Sequence, residues 1–357
     1  MLYQTKNPHG GDVYGEPIQY DFSANTNPFG IPQSVLDAMQ NVLTEVYHYP
    51  DPYCRKLVEA ISQREQVPKE YILCGNGAAE LIYSYCQAVK PRKAAELAPT
   101  FSEYALGLER VGCQVVRYNL KQKENFVLDD GILDFLKAEA PDTLFLCNPN
   151  NPTGATIPQK LLEQLVSLCK EKNIRLFVDE CFLDLSDQGE SLKSLLKENP
   201  HLFLLKAFTK NYGMAGVRLG YCLSADAALL SEMAAAVQPW NVSTLAQAAG
   251  AAAMGEEAFL ERTKAFIPGE RQWLRTQLEA LGLWVCPSSA NYLLFHGRDG
   301  LREALLRTRI AIRSCENYHG LGTGWYRVAV KLREENEALV RALGLALGKE
   351  SSWQSVL

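Results

Sequence analysis

From about residue 55 onward the chain alternates short, nearly continuous apolar runs with longer stretches of helical periodicity, and no other feature restricts its fold as much. "YILCG", "AAELA", "TLFLC", "IRLFVDE" and "LFLLKAFTK" have strand length. Their unbroken apolar character suits strands buried on both faces. Between them, "CRKLVEAISQREQ", "AAELIYSYCQAV" and "PQKLLEQLVSLCKEKN" place apolar residues at helical spacing. Strand and helix in turn predict an α/β domain: an open, mostly parallel central sheet with helices on both faces. The first 30 residues are rich in Gly, Pro and Asn and read as an extended arm. "SVLDAMQNVLTEV" reads as a helix, and 225–280 as a helical, Ala-rich stretch. After it, "ANYLLFHG", "IAIRS" and "WYRVAV" alternate with helices and predict a smaller α+β domain. The expected organisation is an arm at 1–30, a large domain at 31–265 and a small domain at 266–357.

The 357 residues suit about two domains. A net charge of -5 with no long basic run excludes nucleic acid as an expected partner. An anionic substrate would need its own local cluster of Arg and His. The ten cysteines stand singly, without a C-x-x-C pair or a Cys/His cluster, so neither a zinc site nor a disulfide framework is expected. They read as reduced thiols of a cytoplasmic protein. "MLYQTKNPHGGDVYG" lacks the apolar core of a signal peptide. No run approaches the ~20 apolar residues of a membrane span.

Ligands of open α/β sheets bind beyond the carboxyl ends of the strands. In "YILCGNGAAE" a strand meets Gly75-Asn76-Gly77 and then a helix, whose first turn offers free N–H groups to an anion. No G-K-[ST] follows, so this is not a P-loop. "TLFLCNPNNPTG" supplies Asn151, and "IRLFVDECF" ends on Asp179 and Glu180. A carboxylate there is costly to bury without a cationic partner, which could be an Arg, a Lys or a protonated ring nitrogen. "AFTKNYGMAGVRLGY" places Lys210 and Arg218 around a Gly-rich turn. Each of these motifs alone is more often a turn or a surface charge. Together they are the parts needed to hold pyridoxal 5'-phosphate: an amine for a Schiff base, a carboxylate for the pyridine nitrogen and donors for the phosphate.

"NPNNPTG", "VDECF", "FTKNYGMAGVRLGY" and "YRVAVKLREEN", in this order, resemble the class I/II aminotransferase family of fold-type I pyridoxal-phosphate enzymes. "PHGGDVYG", "DFSANTNPFG", "PSSANYLLF" and "IRSCENYHGL" resemble its threonine-phosphate decarboxylase branch more than the histidinol-phosphate aminotransferases. The resemblance implies that Lys210 is the Schiff-base lysine, Asp179 the partner of the pyridine nitrogen and Asn151 a ligand of the ring's phenolic oxygen. It implies that Phe101 stacks on the ring. Ala78 and Ala79 would hold the cofactor phosphate with Thr209 and Arg218, and Tyr49 would reach it from a second subunit of a homodimer. Arg327 and Arg313 would bind the substrate carboxylate, and His9, Gly10 and Asn27 its phosphate.

Three departures stand out. Ala207 occupies a position where relatives often have a hydroxyl, Phe182 one where many have Tyr, and "HGGD" carries Asp12 in place of Asn. Decarboxylation of a phospho-amino acid, transamination of histidinol phosphate and a non-catalytic binding role remain open on the residues alone.

Overall fold

The computed structural model describes residues 9–15 and 17–349. A two-residue strand β1 (Tyr20–Asp21) precedes the helix Gln33–Asn41. The central sheet follows as β2 (Ile72–Gly75), β3 (Lys93–Ala98), β4 (Gln114–Asn119), β5 (Thr143–Cys147), β6 (Arg175–Asp179), β7 (Leu202–Ala207) and β8 (Gly220–Ser224). The small domain carries β9 (Trp284–Val285), β10 (Tyr292–His296), β11 (Ile310–Ala311), β12 (Arg313–Ser314) and β13 (Trp325–Ala329). The central order is β2-β8-β7-β6-β5-β3-β4. β3 to β7 pair in parallel, and β8 runs antiparallel to both its neighbours.

Register in this sheet is set by aromatic residues. Phe145, Phe177 and Phe203 are cross-strand partners on β5, β6 and β7. Their rings stack at 4.6 and 4.8 Å, with Tyr85 of the helix Gly77–Val89 packed across them. A slip by one residue would turn each ring to the opposite face, so the ladder holds the strand ends level. Asp179 therefore lies beside Cys147 and Leu205. Helices cover the sheet with apolar stripes; in Gln159–Glu171 the buried residues are Leu161, Leu162, Leu165, Val166 and Cys169, the spacing of one helical face.

Small-domain strands order as β12-β13-β10-β9. The arm is tied to this domain, because β1 pairs in parallel with β11. The expected boundary at 265/266 falls inside one helix, Glu257–Ala280. All ten cysteines are buried and free. Among the described residues no helix is long and apolar enough to cross a membrane, and no cluster of His, Cys, Asp or Glu could hold a metal ion.

Candidate active site

At the carboxyl end of the sheet lies a cavity of about 210 Å³. Its wall includes Ala78, Ala79, Phe101, Asn151, Asp179, Thr209, Lys210 and Arg218 from the large domain. Arg313 and Arg327 enter from the small domain, and His9 and Gly10 from the arm.

One end is shaped for a phosphate. The helix Gly77–Val89 starts there, and no side chain caps its first turn. The Asn76 side chain instead donates to the Asn241 carbonyl at 3.0 Å. Gly77 has a φ of +79, and a Cβ on it would lie 2.6 Å from an Arg218 guanidinium nitrogen. A Cβ on Gly220 would lie 2.6 Å from the Ala78 nitrogen. Both glycines leave room that a side chain would fill. Arg218 itself has a φ of 61, a left-handed conformation that costs a non-glycine residue energy, and it donates to the Ala215 carbonyl at 3.1 Å. Free helical N–H groups, an arginine and the space between them suit a phosphate.

Lys210 sits on the single helical turn Phe208–Asn211. The reading of "LFLLKAFTK" as one strand is thus too long: β7 ends at Ala207, and the turn swings the lysine back over the sheet end. Burial and the charges of Arg327 and Arg218 push its amine down to about 8. Asp179 accepts from the Tyr104 hydroxyl at 2.6 Å and from the Cys181 N–H at 2.9 Å. Burial raises this carboxyl above the ordinary range despite both bonds. A cationic partner, such as a protonated pyridine nitrogen, would favour its charged form. The donor set fits pyridoxal phosphate at both ends.

The two arginines from the small domain are direct cross-strand partners on β12 and β13. Arg327 donates to Asn151 Oδ1 at 2.6 Å and to the Ser23 carbonyl at 2.8 Å, while its Nε is buried without a partner. Arg313 donates to Asn317 Oδ1 at 2.7 Å. Both are buried, and among the described residues neither has a carboxylate within 4.0 Å. Adjacent like charges repel, and buried charges are normally paired. Such a pair suits an anionic ligand.

One predicted ligand is displaced. Asn27 lies outside the cavity wall, and its amide donates to the Asn211 carbonyl at 2.8 Å and to the Thr263 hydroxyl at 2.9 Å. Its oxygen accepts from the Phe29 N–H at 2.9 Å, so the side chain ties the arm to the domain and has nothing left for substrate. Asn25, which the motif reading passed over, lines the cavity with both amide atoms buried and unpartnered. Nothing local distinguishes the two; only the tertiary bonds of Asn27 do. Tyr104 and Ser23 were also missed, because each acts through a contact distant in sequence.

Tyr49 is outside this subunit's cavity, 78% exposed and stacked on Trp240 with ring centroids 4.5 Å apart. The departures also find places. Phe182 packs edge-on to Tyr292, and the Lys210 amine lies 5.7 Å from its ring centre. Ala207 lines the cavity and offers no side-chain oxygen. Asp12 lines an adjoining outer cavity of about 260 Å³ and not the one that holds Lys210.

The two anion sites should separate by mutation. Arg218→Ala is expected to weaken cofactor affinity about 10- to 100-fold, the loss of one charge-assisted hydrogen bond. Arg327→Ala is expected to leave the cofactor bound and raise KM by a similar factor. Titration of the apoenzymes with cofactor, beside steady-state kinetics, tests both; matching phenotypes would mean that the sites are confused.

Comparison with known proteins agrees with this geometry. The family model "Aminotransferase class I and II" matches residues 17–343. The chain is 38% identical over 327 residues to threonine-phosphate decarboxylase of Salmonella typhimurium, covering 90% of each. It is 33% identical over 343 residues to histidinol-phosphate aminotransferase of Anaeromyxobacter sp., covering 94% of this chain and 93% of the relative. The crystal structure of histidinol-phosphate aminotransferase from Clostridium acetobutylicum superposes with a TM-score of 0.85 at 27% identity, covering 92% of this chain and 99% of that one. With the mostly parallel sheet and one cavity lined by Asp179, Lys210 and Arg218 already described, these matches show that the chain is a pyridoxal-phosphate-dependent enzyme and belongs to the class I and II aminotransferase family.

Proposed function

We propose that this enzyme decarboxylates an O-phospho-amino acid, L-threonine O-3-phosphate or L-serine O-phosphate, to the corresponding amino-alcohol phosphate for the side chain of a corrinoid. The observation that carries this is the pair of buried, opposed arginines that have no carboxylate partner among the described residues. A carboxylate satisfies one guanidinium and a phosphate the other, beside His9. The similarity to threonine-phosphate decarboxylase supports the same substrate class.

When bound, pyridoxal phosphate supplies a ring that withdraws electrons from a bond at the substrate's α-carbon. This chain's residues choose the bond. Arg327, fixed by Asn151 and Ser23, holds the carboxylate and sets the direction of the bond that breaks. The Lys210 amine, with its proton affinity lowered by burial and two arginines, exchanges a proton at its Nζ near neutral pH. Asp179, held by Tyr104 and Cys181, would be the partner of the protonated pyridine nitrogen. Asn151 and Phe101 line the same cavity and would meet the ring's phenolic oxygen and its face.

Histidinol-phosphate transamination is the second reading, favoured by the relatives of that name at similar coverage. Each phospho-amino acid supplied without any 2-oxo acid decides between them. Sustained carbon dioxide release is expected, because decarboxylation needs no amino acceptor. No carbon dioxide, with glutamate formed from histidinol phosphate and 2-oxoglutarate, would establish the second reading.

We also infer a homodimer with shared sites. Val46, Tyr47, Tyr49, Tyr53 and Trp240 are exposed, and Trp240, on which Tyr49 stacks, precedes the Asn241 whose carbonyl accepts from Asn76 at the start of the helix Gly77–Val89. Burying them against a second copy would bring Tyr49 to the neighbour's cofactor. Sedimentation should show a dimer at assay concentration; a fully active monomer would refute the shared site.

A further inference from the structure

We propose that Glu103 is a positioning residue for substrate recognition: it anchors His9 of the arm to the wall of the reaction cavity, where the imidazole meets the substrate's phosphate. This rests on the proposed phospho-amino acid substrate.

His9 precedes irregular backbone, and no helix or strand holds it. A side chain on such a segment loses conformational freedom when it is fixed, so a binding role needs anchors. Two are present. At Gly10 the backbone lies so close to Ser23 that a Cβ would sit 2.4 Å from the Ser23 carbonyl oxygen, and the Gly11 N–H donates to the Ser23 hydroxyl at 2.8 Å. At His9 the imidazole Nε2 lies 2.6 Å from Glu103 Oε1. The other oxygen of Glu103 accepts from the Tyr83 hydroxyl at 2.6 Å. Tyr83 belongs to the helix Gly77–Val89, whose first turn forms the phosphate cradle, and the Arg110 guanidinium lies 4.6 Å over its ring.

Glu103 is buried, and the bonds from His9 and Tyr83 hold its carboxyl below the ordinary range. A carboxylate only accepts, so the hydrogen of this contact sits on Nε2 of His9. Glu103 thereby fixes the ring's orientation. The ring centre is 6.0 Å from that of Phe101, and His9 shares the cavity wall with Arg313. One carboxylate on the large domain thus joins the arm to the cofactor helix and aims the arm's only cavity-lining imidazole.

The test measures binding of O-phospho-L-threonine to the holoenzyme from the rapid change in cofactor absorbance that precedes carbon dioxide release, with cofactor affinity measured in parallel. Glu103→Ala is expected to weaken phospho-threonine binding about 10- to 100-fold, the equivalent of one charge-assisted hydrogen bond, with cofactor affinity unchanged. Glu103→Gln retains an acceptor at the same reach and is expected to stay within about threefold of wild type. In a His9→Ala background the Glu103→Ala effect should vanish, because nothing remains to be positioned. Additive effects in this cycle, or an unaltered affinity in Glu103→Ala, overturn the inference. Tyr83→Phe gives a second variant with intact packing, expected to shift phospho-threonine binding in the same direction. Wild-type enzyme that binds no phospho-amino acid would strike the proposed function itself, a result distinct from wild type and Glu103→Ala binding equally well.

Discussion

Lys210→Ala is expected to lower kcat by at least about 10³- to 10⁴-fold, the scale of a lost nucleophile and proton carrier, and to abolish covalent attachment of the cofactor. Loss of the visible absorbance band, with cofactor removable by dialysis, is the accompanying sign. A variant that keeps turnover and band would sink the assignment. The same amine gives a readout that needs no turnover. In the apoenzyme, burial and the two arginines bring Lys210 from an ordinary 10.5 to about 8. Between these values the unfolded chain binds more protons than the folded one, so stability rises with pH across that window. Below pH 8 the folded state bears the whole cost of a buried ammonium, on the order of 3 kcal/mol. Lys210→Met apoenzyme should therefore be more stable than wild type at pH 7, and its advantage should shrink to nothing above about pH 10.5. Denaturant melts at a series of pH values test this. A constant difference across the series would mean that the amine is not charged and buried in the way described.

How far the site could be read from the chain depended on whether each residue's role was local. Lys210, Asp179 and Asn151 sit at or just beyond strand ends within compact motifs, and they converge in one cavity. The mostly parallel sheet was readable because fully buried strands write continuous apolar runs. Its single antiparallel member was not: β8 is as apolar as its neighbours, and direction leaves no mark in composition. Where roles depend on partners far along the chain, the motif misleads. Asn25 and Asn27 belong to one phrase, yet Thr263 and Asn211 take one of them out of the site. Arg313 and Arg327 were each visible as candidates, but their face-to-face pairing comes from the register of β12 on β13. That pairing sets two buried cations side by side.

L-Threonine itself is expected to react with kcat/KM about 10⁴-fold below that of its O-phosphate, on the scale seen when a site built for polar groups meets a substrate lacking them. The reason lies in how many buried donors the smaller molecule can satisfy. Its carboxylate can pair with Arg327, already oriented by Asn151 and Ser23. Arg313 then stays buried beside a like charge, with Asn317 as a neutral partner. The Asn25 amide also stays without a partner. Each unsatisfied buried group costs about 1–3 kcal/mol, more if charged, so two or three of them reach the predicted factor. L-Serine O-phosphate satisfies the same donors and lacks only a methyl group, worth about 1–3 kcal/mol, so it should fall roughly 10- to 200-fold short at most. Carbon dioxide release from the three amino acids, measured at concentrations well below KM, orders them directly. Threonine within tenfold of its phosphate would show that the second anion position is not used. Arg313→Ala then separates the causes: it should depress turnover of the phosphorylated substrate steeply and leave the residual rate with threonine nearly unchanged.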